Sequence, residues 1–169
     1  MPTLTVVIAS TRPGRVGLPI GTWFADHAKA HGAFEVDVAD LAVIDLPFLA
    51  DSQHPRFGRY DHQHTRDWSA RVAASDAFVF VTPEYNHGYP ATLKNAIDHL
   101  YAEWNHKPLG FVSYGGTSAG TRAVQQLKQV AAALSLVPVV ESVNLSLPAV
   151  PIEDSRVLPT PTMEEAATT

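Results

Sequence analysis

The stretch from Pro83 to Pro90 holds an unusual density of groups able to contact a ligand. Glu84, Tyr85 and Asn86 place a carboxylate, a phenol and a carboxamide side by side. A buried-strand pattern precedes the stretch and a helical pattern follows it. α/β proteins build ligand sites where a strand stops at such a turn and restarts as a helix. The segment therefore predicts a site for a flat heteroaromatic ring with hydrogen-bonding edges.

A second polar loop, Ser10–Gly17, follows the first apolar run and contains two hydroxyls and two guanidiniums. The start of a helix adds unpaired N–H groups and partial positive charge, and arginine contacts phosphate oxygens well. The loop lacks both Gly-Lys-Ser/Thr and G-x-G-x-x-G, the signatures of nucleotide triphosphate and dinucleotide sites. It therefore predicts a cradle for a terminal monophosphate, with a solvated surface turn as the alternative.

A third loop, Ser113–Gly120, contains adjacent glycines and several hydroxyls. Glycine lets the backbone approach a ligand closely, and hydroxyls cap helices or bind polar edges. This loop is weak evidence alone. Its value is that we expect it at the same edge of the sheet as the other two.

The elements that position these loops follow from hydrophobic patterning. Runs rich in apolar and β-branched residues alternate with helical patterns, which predicts right-handed crossovers and a parallel sheet. The fold class is therefore α/β, a flavodoxin-like three-layer sandwich with a five-stranded parallel sheet of order 2-1-3-4-5 and helices on both faces. The predicted strands are Thr3–Ala9, Phe34–Asp40, Ala77–Thr82, Leu109–Tyr114 and Val137–Asn144.

The domain organisation is simple. Residues 1–147 form the predicted ligand-binding domain, and residues 148–169 form a proline-bearing tail in which Met163–Thr169 opens a helix that is cut short. We expect the sheet face near the fifth strand to be less covered as a result, unless a neighbouring subunit covers it. The loop Pro47–Tyr60 is longer than most connections, which makes it a candidate lid or interface segment.

Composition excludes several classes of function. A net charge of −5 and a pI near 5.8 argue against nucleic-acid and membrane-surface binding. The absence of cysteine excludes disulfides, thiolate metal sites and thiol redox chemistry. The N-terminus shows no secretory signal and no long apolar run occurs, so we expect a cytoplasmic protein. His54, His62 and His64 lie close in sequence but have no convincing metal-ligand spacing, so we expect no metal site.

The same motifs resemble a known family. Ser10–Arg15, Pro83–Asp98, Lys107-Pro108 and Val112–Gly116 are similar to the corresponding segments of NAD(P)H-dependent FMN reductases, a family that includes flavodoxin-like quinone, azo-dye and chromate reductases. The resemblance covers about residues 3–144. It implies bound FMN, NAD(P)H as co-substrate, a ping-pong hydride transfer and a homodimer or homotetramer with flavins near the subunit boundary.

By position, the resemblance also implies which residues contact FMN. Residues of the first loop would bind the phosphate: Ser10, Arg12, Arg15 and Val16. Residues of the second loop would line the ribityl chain and the ring: Pro83, Glu84, Tyr85 and Asn86. Residues of the third loop would close over the ring's other edge: Ser113, Gly115 and Gly116. The chain departs from the family at Ala9 and Ala119, where glycine is common.

The leading hypothesis is an FMN-dependent NAD(P)H oxidoreductase that reduces a quinone, an azo or nitro compound, a metal oxyanion or free flavin. The cofactor performs the chemistry, so we expect no catalytic side chain, and backbone N–H groups would stabilise negative charge on the reduced ring. The alternatives are an FMN-binding electron carrier or redox sensor, a dinucleotide-binding module that uses Asp37 or Asp40, and a flavin-free assembly subunit.

Overall fold

The computed structural model describes all 169 residues, and its centre is a parallel sheet of order β2-β1-β3-β4-β5. The expected flavodoxin-like fold class and strand order are confirmed. The main strands are β1 (Thr3–Ile8), β2 (Glu35–Asp40), β3 (Ala77–Pro83) and β4 (Pro108–Gly115).

The fifth strand differs from the prediction. The expected run Val137–Asn144 is divided into β5 (Val137–Pro138) and β6 (Val143–Ser146), and both pair in parallel with β4. Pro138 has no backbone N–H and can extend a ladder only at an edge. Apolar composition predicted a strand here but could not show where its ladder breaks.

Helices cover both faces of the sheet. The ranges are α1 (Gly17–His31), α2 (Leu41–Ile44), α3 (Gln63–Ala73), α4 (Ala91–Asp98), α5 (Thr121–Ala133) and α6 (Pro161–Thr168). The helical spacing of apolar residues in the sequence continues to Trp104, but α4 ends at Asp98 and Ala102–Trp104 forms one 3₁₀ turn.

Two hydrophobic clusters form the core, one on each face of the sheet. Trp68, Phe80 and Trp104 lie in the cluster that joins the sheet to α3, α4 and α5. Ile20 and Tyr114 lie in the opposite cluster, together with residues of α1 and α6. Alternate residues along each strand therefore serve different faces, and this fixes which side chains can reach the loops at the strand ends.

The chain after β6 packs on α1. A short hairpin, β7 (Ile152–Glu153) and β8 (Arg156–Val157), leads into α6, which begins two residues before the expected Met163. Thr160 caps α6 by accepting a hydrogen bond from the Met163 N–H. The Met163 side chain is buried in the same core cluster as α1.

Part of one sheet face beside α6 is not covered by a helix. A mainly apolar groove of about 450 Å³ lies between α1, α6 and the strands β1, β3 and β4. Residues that line it include Phe24, Phe34, Val79, Gly110 and Val139. The groove lies toward the amino ends of the strands, so it is separate from the edge that carries the three polar loops.

The long loop Pro47–Tyr60 is held in place. The Asp51 carboxylate accepts hydrogen bonds from the Asp61 N–H at 2.6 Å and from Thr65 Oγ1 at 2.6 Å. The Tyr60 hydroxyl donates a hydrogen bond to the Glu103 carboxylate at 2.6 Å. A loop with these anchors presents a fixed surface, which favours the interface interpretation over the lid.

Candidate functional site

The three polar loops meet at the carboxyl edge of the sheet. This edge contains the topological switch point between β1 and β3, because the chain connects β1 to β2 on one side and β3 to β4 on the other. Direct contacts join them. Thr92 Oγ1 at the start of α4 donates to the Ala9 carbonyl at 2.7 Å, and the Glu84 N–H donates to the Tyr114 carbonyl at 3.1 Å. Ala9 is fully buried, so the departure from glycine is accommodated here.

The first loop presents a set of hydrogen-bond donors with no acceptor in the protein. The unpartnered backbone N–H groups of the loop belong to Ser10, Thr11, Arg12, Gly14, Val16 and Gly17, and that of Leu18 in the first turn of α1 is also unpartnered. The Arg12 guanidinium is exposed and makes a single long contact, 3.5 Å to the Pro13 carbonyl. Space around Gly14 is open. Donors aimed at open space beside a helix start fit an anion such as a phosphate monoester.

Arg15 does something different from what the resemblance implies. Its guanidinium lies on Asp40 at the end of β2, with two contacts of 2.6 Å, and also donates to the Ser10 carbonyl at 2.5 Å. Both side chains are 13% exposed. In this structure Arg15 therefore ties the loop to β2, and Arg12 is the loop's free guanidinium.

The pKa shifts of Arg15 and Asp40 support the interpretation that the two side chains form an ion pair. The hydrogen bond to Asp40 raises the pKa of Arg15 despite its partial burial. Burial alone would raise the pKa of Asp40, but the Arg15 guanidinium and the Ala42 N–H outweigh it and lower that pKa. The pair is therefore fully ionised at neutral pH, and Asp40 also caps α2.

The second loop forms a tight turn at the open mouth of the site. Tyr85 and Gly88 exchange backbone hydrogen bonds of 2.8 and 2.9 Å, and Asn86 and His87 between them have φ of 50° and 68°. Two central residues with positive φ indicate a type I′ turn, which is costly for histidine. The N–H groups of Asn86 and His87 have no acceptor. Pro83, buried at the end of β3, fixes the direction of the chain.

Glu84 supports the turn from below. Its side chain is 5% exposed, and its carboxylate accepts from Ser118 Oγ at 2.7 Å and from Arg122 Nε at 2.7 Å and N–H at 3.2 Å. Desolvation opposes ionisation, yet Ser118 and Arg122 lower the pKa of Glu84 overall. The resemblance implies that Glu84 lines the ligand, whereas the carboxylate here is committed to the start of α5.

One face of α5 completes the support. Arg122 Nη1 lies 2.7 Å from His87 Nε2, and Gln126 Nε2 donates to the His87 carbonyl at 3.0 Å. These two residues are one helical turn apart, so they reach the same side of α5. They hold His87 in its left-handed conformation, which surrounding contacts must stabilise.

The third loop divides into supporting and open parts. Ser113 is buried, and its Oγ lies 2.8 Å from both the Ala119 carbonyl and Asn144 Oδ1. Gly115 packs closely, since a Cβ there would lie 3.1 Å from the Gly120 nitrogen. Gly116 faces open space, and its N–H has no acceptor. Gly116 is thus placed to face a ligand, while Ser113 shapes the loop.

Sequence reasoning missed the residues that hold the loops together: Asp40, Tyr114, Ser118 and Arg122. Tyr114 lies within a strand pattern and reads as core, and Arg122 lies on a helix surface. Asp40 did carry a signal in the sequence, because a carboxylate at the end of the strand beside β1 is a natural partner for an arginine of the first loop.

No group of three or more His, Asp or Glu side chains is arranged to hold a metal ion. None of the helices has the length and apolarity to cross a membrane.

The doubly wound sheet and its donor-rich edge define a flavodoxin-like mononucleotide-binding protein. A family model described as NADPH-dependent FMN reductase matches residues 2–148. The NAD(P)H-dependent FMN reductase C4B3.06c of Schizosaccharomyces pombe is 44% identical over 137 residues, which cover 80% of this chain and 68% of that protein. The chain therefore belongs to the NADPH-dependent FMN reductase family, and the expected enzyme class, with FMN as cofactor and NAD(P)H as co-substrate, is confirmed.

Two further similarities extend this result. The FMN-dependent NADPH-azoreductase of Staphylococcus aureus is 25% identical over 130 residues, which cover 76% of this chain and 69% of that protein. The structure of FerB, a flavoenzyme NAD(P)H:acceptor oxidoreductase from Paracoccus denitrificans, superimposes with a TM-score of 0.75 at 23% identity, covering 99% of this chain and 92% of FerB. At that identity the FerB likeness supports the fold.

Proposed function

We propose that this enzyme transfers hydride from NAD(P)H through FMN to a quinone, an azo or nitro compound, a metal oxyanion or free flavin, by a ping-pong mechanism. The observation that carries the proposal is the set of unpartnered donors in the loop after β1, beside a turn with two further free N–H groups. The relative named as an FMN-dependent NADPH-azoreductase supports an azo compound as one acceptor.

Each loop has a distinct part in this proposal. Arg12 and the free N–H groups of the first loop would hold the FMN phosphate, with Ser10 beside them. The ring would lie against the Tyr85–Asn86 turn, with Gly116 at its other edge. Bound FMN supplies the chemistry, taking a hydride from NAD(P)H and passing electrons to the acceptor.

The chain's own groups contribute positioning and electrostatics. The N–H groups of Asn86 and His87 have no other acceptor, so they can stabilise negative charge on the ring edge that they face. Tyr85 is 41% exposed, which leaves the approach to the turn open. An open approach suits a site that nicotinamide and acceptor occupy in succession.

The visible spectrum of the purified protein tests the proposal. We expect oxidised-flavin absorption that NADPH bleaches under anaerobic conditions at a rate fast enough for turnover, and that a quinone restores. Parallel double-reciprocal plots would support the ping-pong scheme. Bleaching too slow for turnover would instead indicate an electron carrier, and a colourless protein that takes up no added FMN would indicate an assembly subunit.

The proposal includes a homodimer or homotetramer. Large apolar side chains are exposed along the segment from α2 through the anchored loop, notably Val43, Phe48 and Phe57, at 79%, 83% and 54%. Exposed apolar side chains on a fixed surface are typical of a protein interface. A second copy would cover them and border the ligand edge. We propose no nucleic-acid or membrane partner, and a cytoplasmic location stays a prediction.

A further inference from the structure

The Tyr114 side chain links β4 to the first loop from within the core. Its hydroxyl donates to Ser10 Oγ at 3.0 Å, and both residues are buried, at 3% and 1% exposure. Burial raises the pKa of Tyr114 to about 12, so the phenol keeps its proton at neutral pH and remains a donor.

The same residue also contacts the second loop. The Tyr114 carbonyl accepts the Glu84 N–H at 3.1 Å, so its backbone holds the turn while its side chain holds the first loop. The fit around the two hydroxyls is close, because a Cβ on Gly17 would overlap both of them. The start of α1 thus packs directly on the Tyr114–Ser10 pair.

The hydrogen bond determines what Ser10 can do. A serine hydroxyl has one proton and two acceptor positions. Tyr114 fills an acceptor position, and the Ser10 hydroxyl has no other partner in the protein. The Ser10 proton is therefore left for an acceptor that the protein does not supply, in a loop whose backbone N–H groups are also unpartnered.

We propose that Tyr114 is a positioning residue for the phosphate end of the ligand. By donating to Ser10 Oγ, it directs the Ser10 hydroxyl proton toward the position of the ligand phosphate beside the first loop. This inference rests on the proposed FMN site and deepens it. Neither residue takes part in hydride transfer. Together they favour a flavin that carries a phosphate over one that does not.

Comparison of FMN with riboflavin, which lacks the phosphate, tests the inference. Dissociation constants would be measured by flavin fluorescence on the apoprotein for wild type, Tyr114→Phe, Ser10→Ala and the double variant. We expect Tyr114→Phe to weaken FMN binding about 3- to 10-fold, the loss typical of one hydrogen bond, and to leave riboflavin binding unchanged. The double variant should bind FMN no more weakly than Ser10→Ala, because Tyr114 acts through Ser10.

Tyr60→Phe is the matched control, since it removes a phenol hydrogen bond of another tyrosine, to Glu103, away from the three polar loops. It should lower thermal stability without changing the ratio of FMN to riboflavin affinity. Equal effects of Tyr114→Phe on both flavins, no effect on either, or full additivity with Ser10→Ala would overturn the inference while leaving the proposed function intact. A wild-type protein that binds neither flavin would overturn both.

Discussion

Two arginines of the same loop lie in different surroundings. Arg12 is exposed with its guanidinium free, whereas Arg15 is half-buried against Asp40. Arginine can bind a carboxylate or a phosphate with the same planar fork, so the residue type alone could not distinguish them. What distinguishes them is the position of Asp40 on the neighbouring strand.

Alanine substitutions should therefore separate ligand binding from stability. Arg12→Ala should weaken FMN retention about tenfold or more, since it removes a charge-assisted contact, and should leave the melting temperature of the apoprotein unchanged. Arg15→Ala should lower the melting temperature of the apoprotein, because it leaves the Asp40 carboxylate without its partner. Flavin content and thermal unfolding of the two variants would be measured in parallel. Equal flavin content in Arg12→Ala and wild type would contradict the assignment.

Sequence alone located the loops at the sheet edge better than the directions of their side chains. Arg12, Tyr85, Asn86 and Gly116 lie at the edge with open space or free donors, as expected of loop residues after strands. Arg15, Glu84 and Ser113 lie in the right loops, but their side chains turn toward the protein. Loop position follows from strand order, whereas side-chain direction depends on partners distant in sequence, such as Asp40 and Arg122.

At the level of elements, α5 acts as the support of the turn that follows β3. The Glu84 carboxylate lies against the start of α5, where a negative charge also interacts favourably with the helix N-terminus. Arg122 extends from Glu84 to His87 and so connects the base of the turn with its tip. The geometry of the free N–H groups at Asn86 and His87 therefore depends on how α5 is seated.

Glu84→Gln tests this support through its pH dependence. The folded-state pKa of Glu84 lies below its ordinary value of 4.5, so ionised Glu84 stabilises the fold above that value and the contribution fades as pH falls through the folded-state pKa. We expect the variant to be about 1–2 kcal/mol less stable at pH 7. The difference from wild type should shrink on acidification below about pH 4.5.

Urea unfolding at a series of pH values would measure this difference. Glu165→Gln serves as the control, because Glu165 is exposed and its carboxylate has no partner. A gap between wild type and Glu84→Gln that stays constant from pH 7 to pH 3.5 would show that the charge of Glu84 does not support α5.

The elements themselves were predictable to different degrees. Continuous apolar runs located β1, β3 and β4 within a residue or two, because strands buried on both faces have a strong composition signal. The split of the fifth strand and the early end of α4 were not predictable. Both depend on where hydrogen-bond ladders stop, and apolar side chains such as Val139 and Leu100 continue on either side of that point.

At the scale of the whole molecule, we expect Phe48 to be the centre of the subunit interface. Phe48→Ser should shift the mass measured by sedimentation at micromolar concentration toward the monomer, because it removes apolar area that a second copy would bury. Monomer stability should not fall, since this side chain is 83% exposed.

Val140→Ser is the matched control for that experiment, because Val140 is 85% exposed but lies beside the broken fifth strand. It should leave the sedimentation mass unchanged. Dissociation by Val140→Ser with Phe48→Ser still associated would move the interface to the outer edge of the sheet.

The broken fifth strand has a consequence for aggregation. A long, regular edge strand invites a second chain to add to the sheet, and proteins prevent this with breaks, prolines and charges. On one edge, β5 has two residues including Pro138, and β6 has four. On the other, β2 carries Glu35, Asp37 and Asp40. The broken ladder on one edge and the acidic residues on the other therefore oppose edge-to-edge strand addition, so that concentrated protein does not extend its sheets into a fibril.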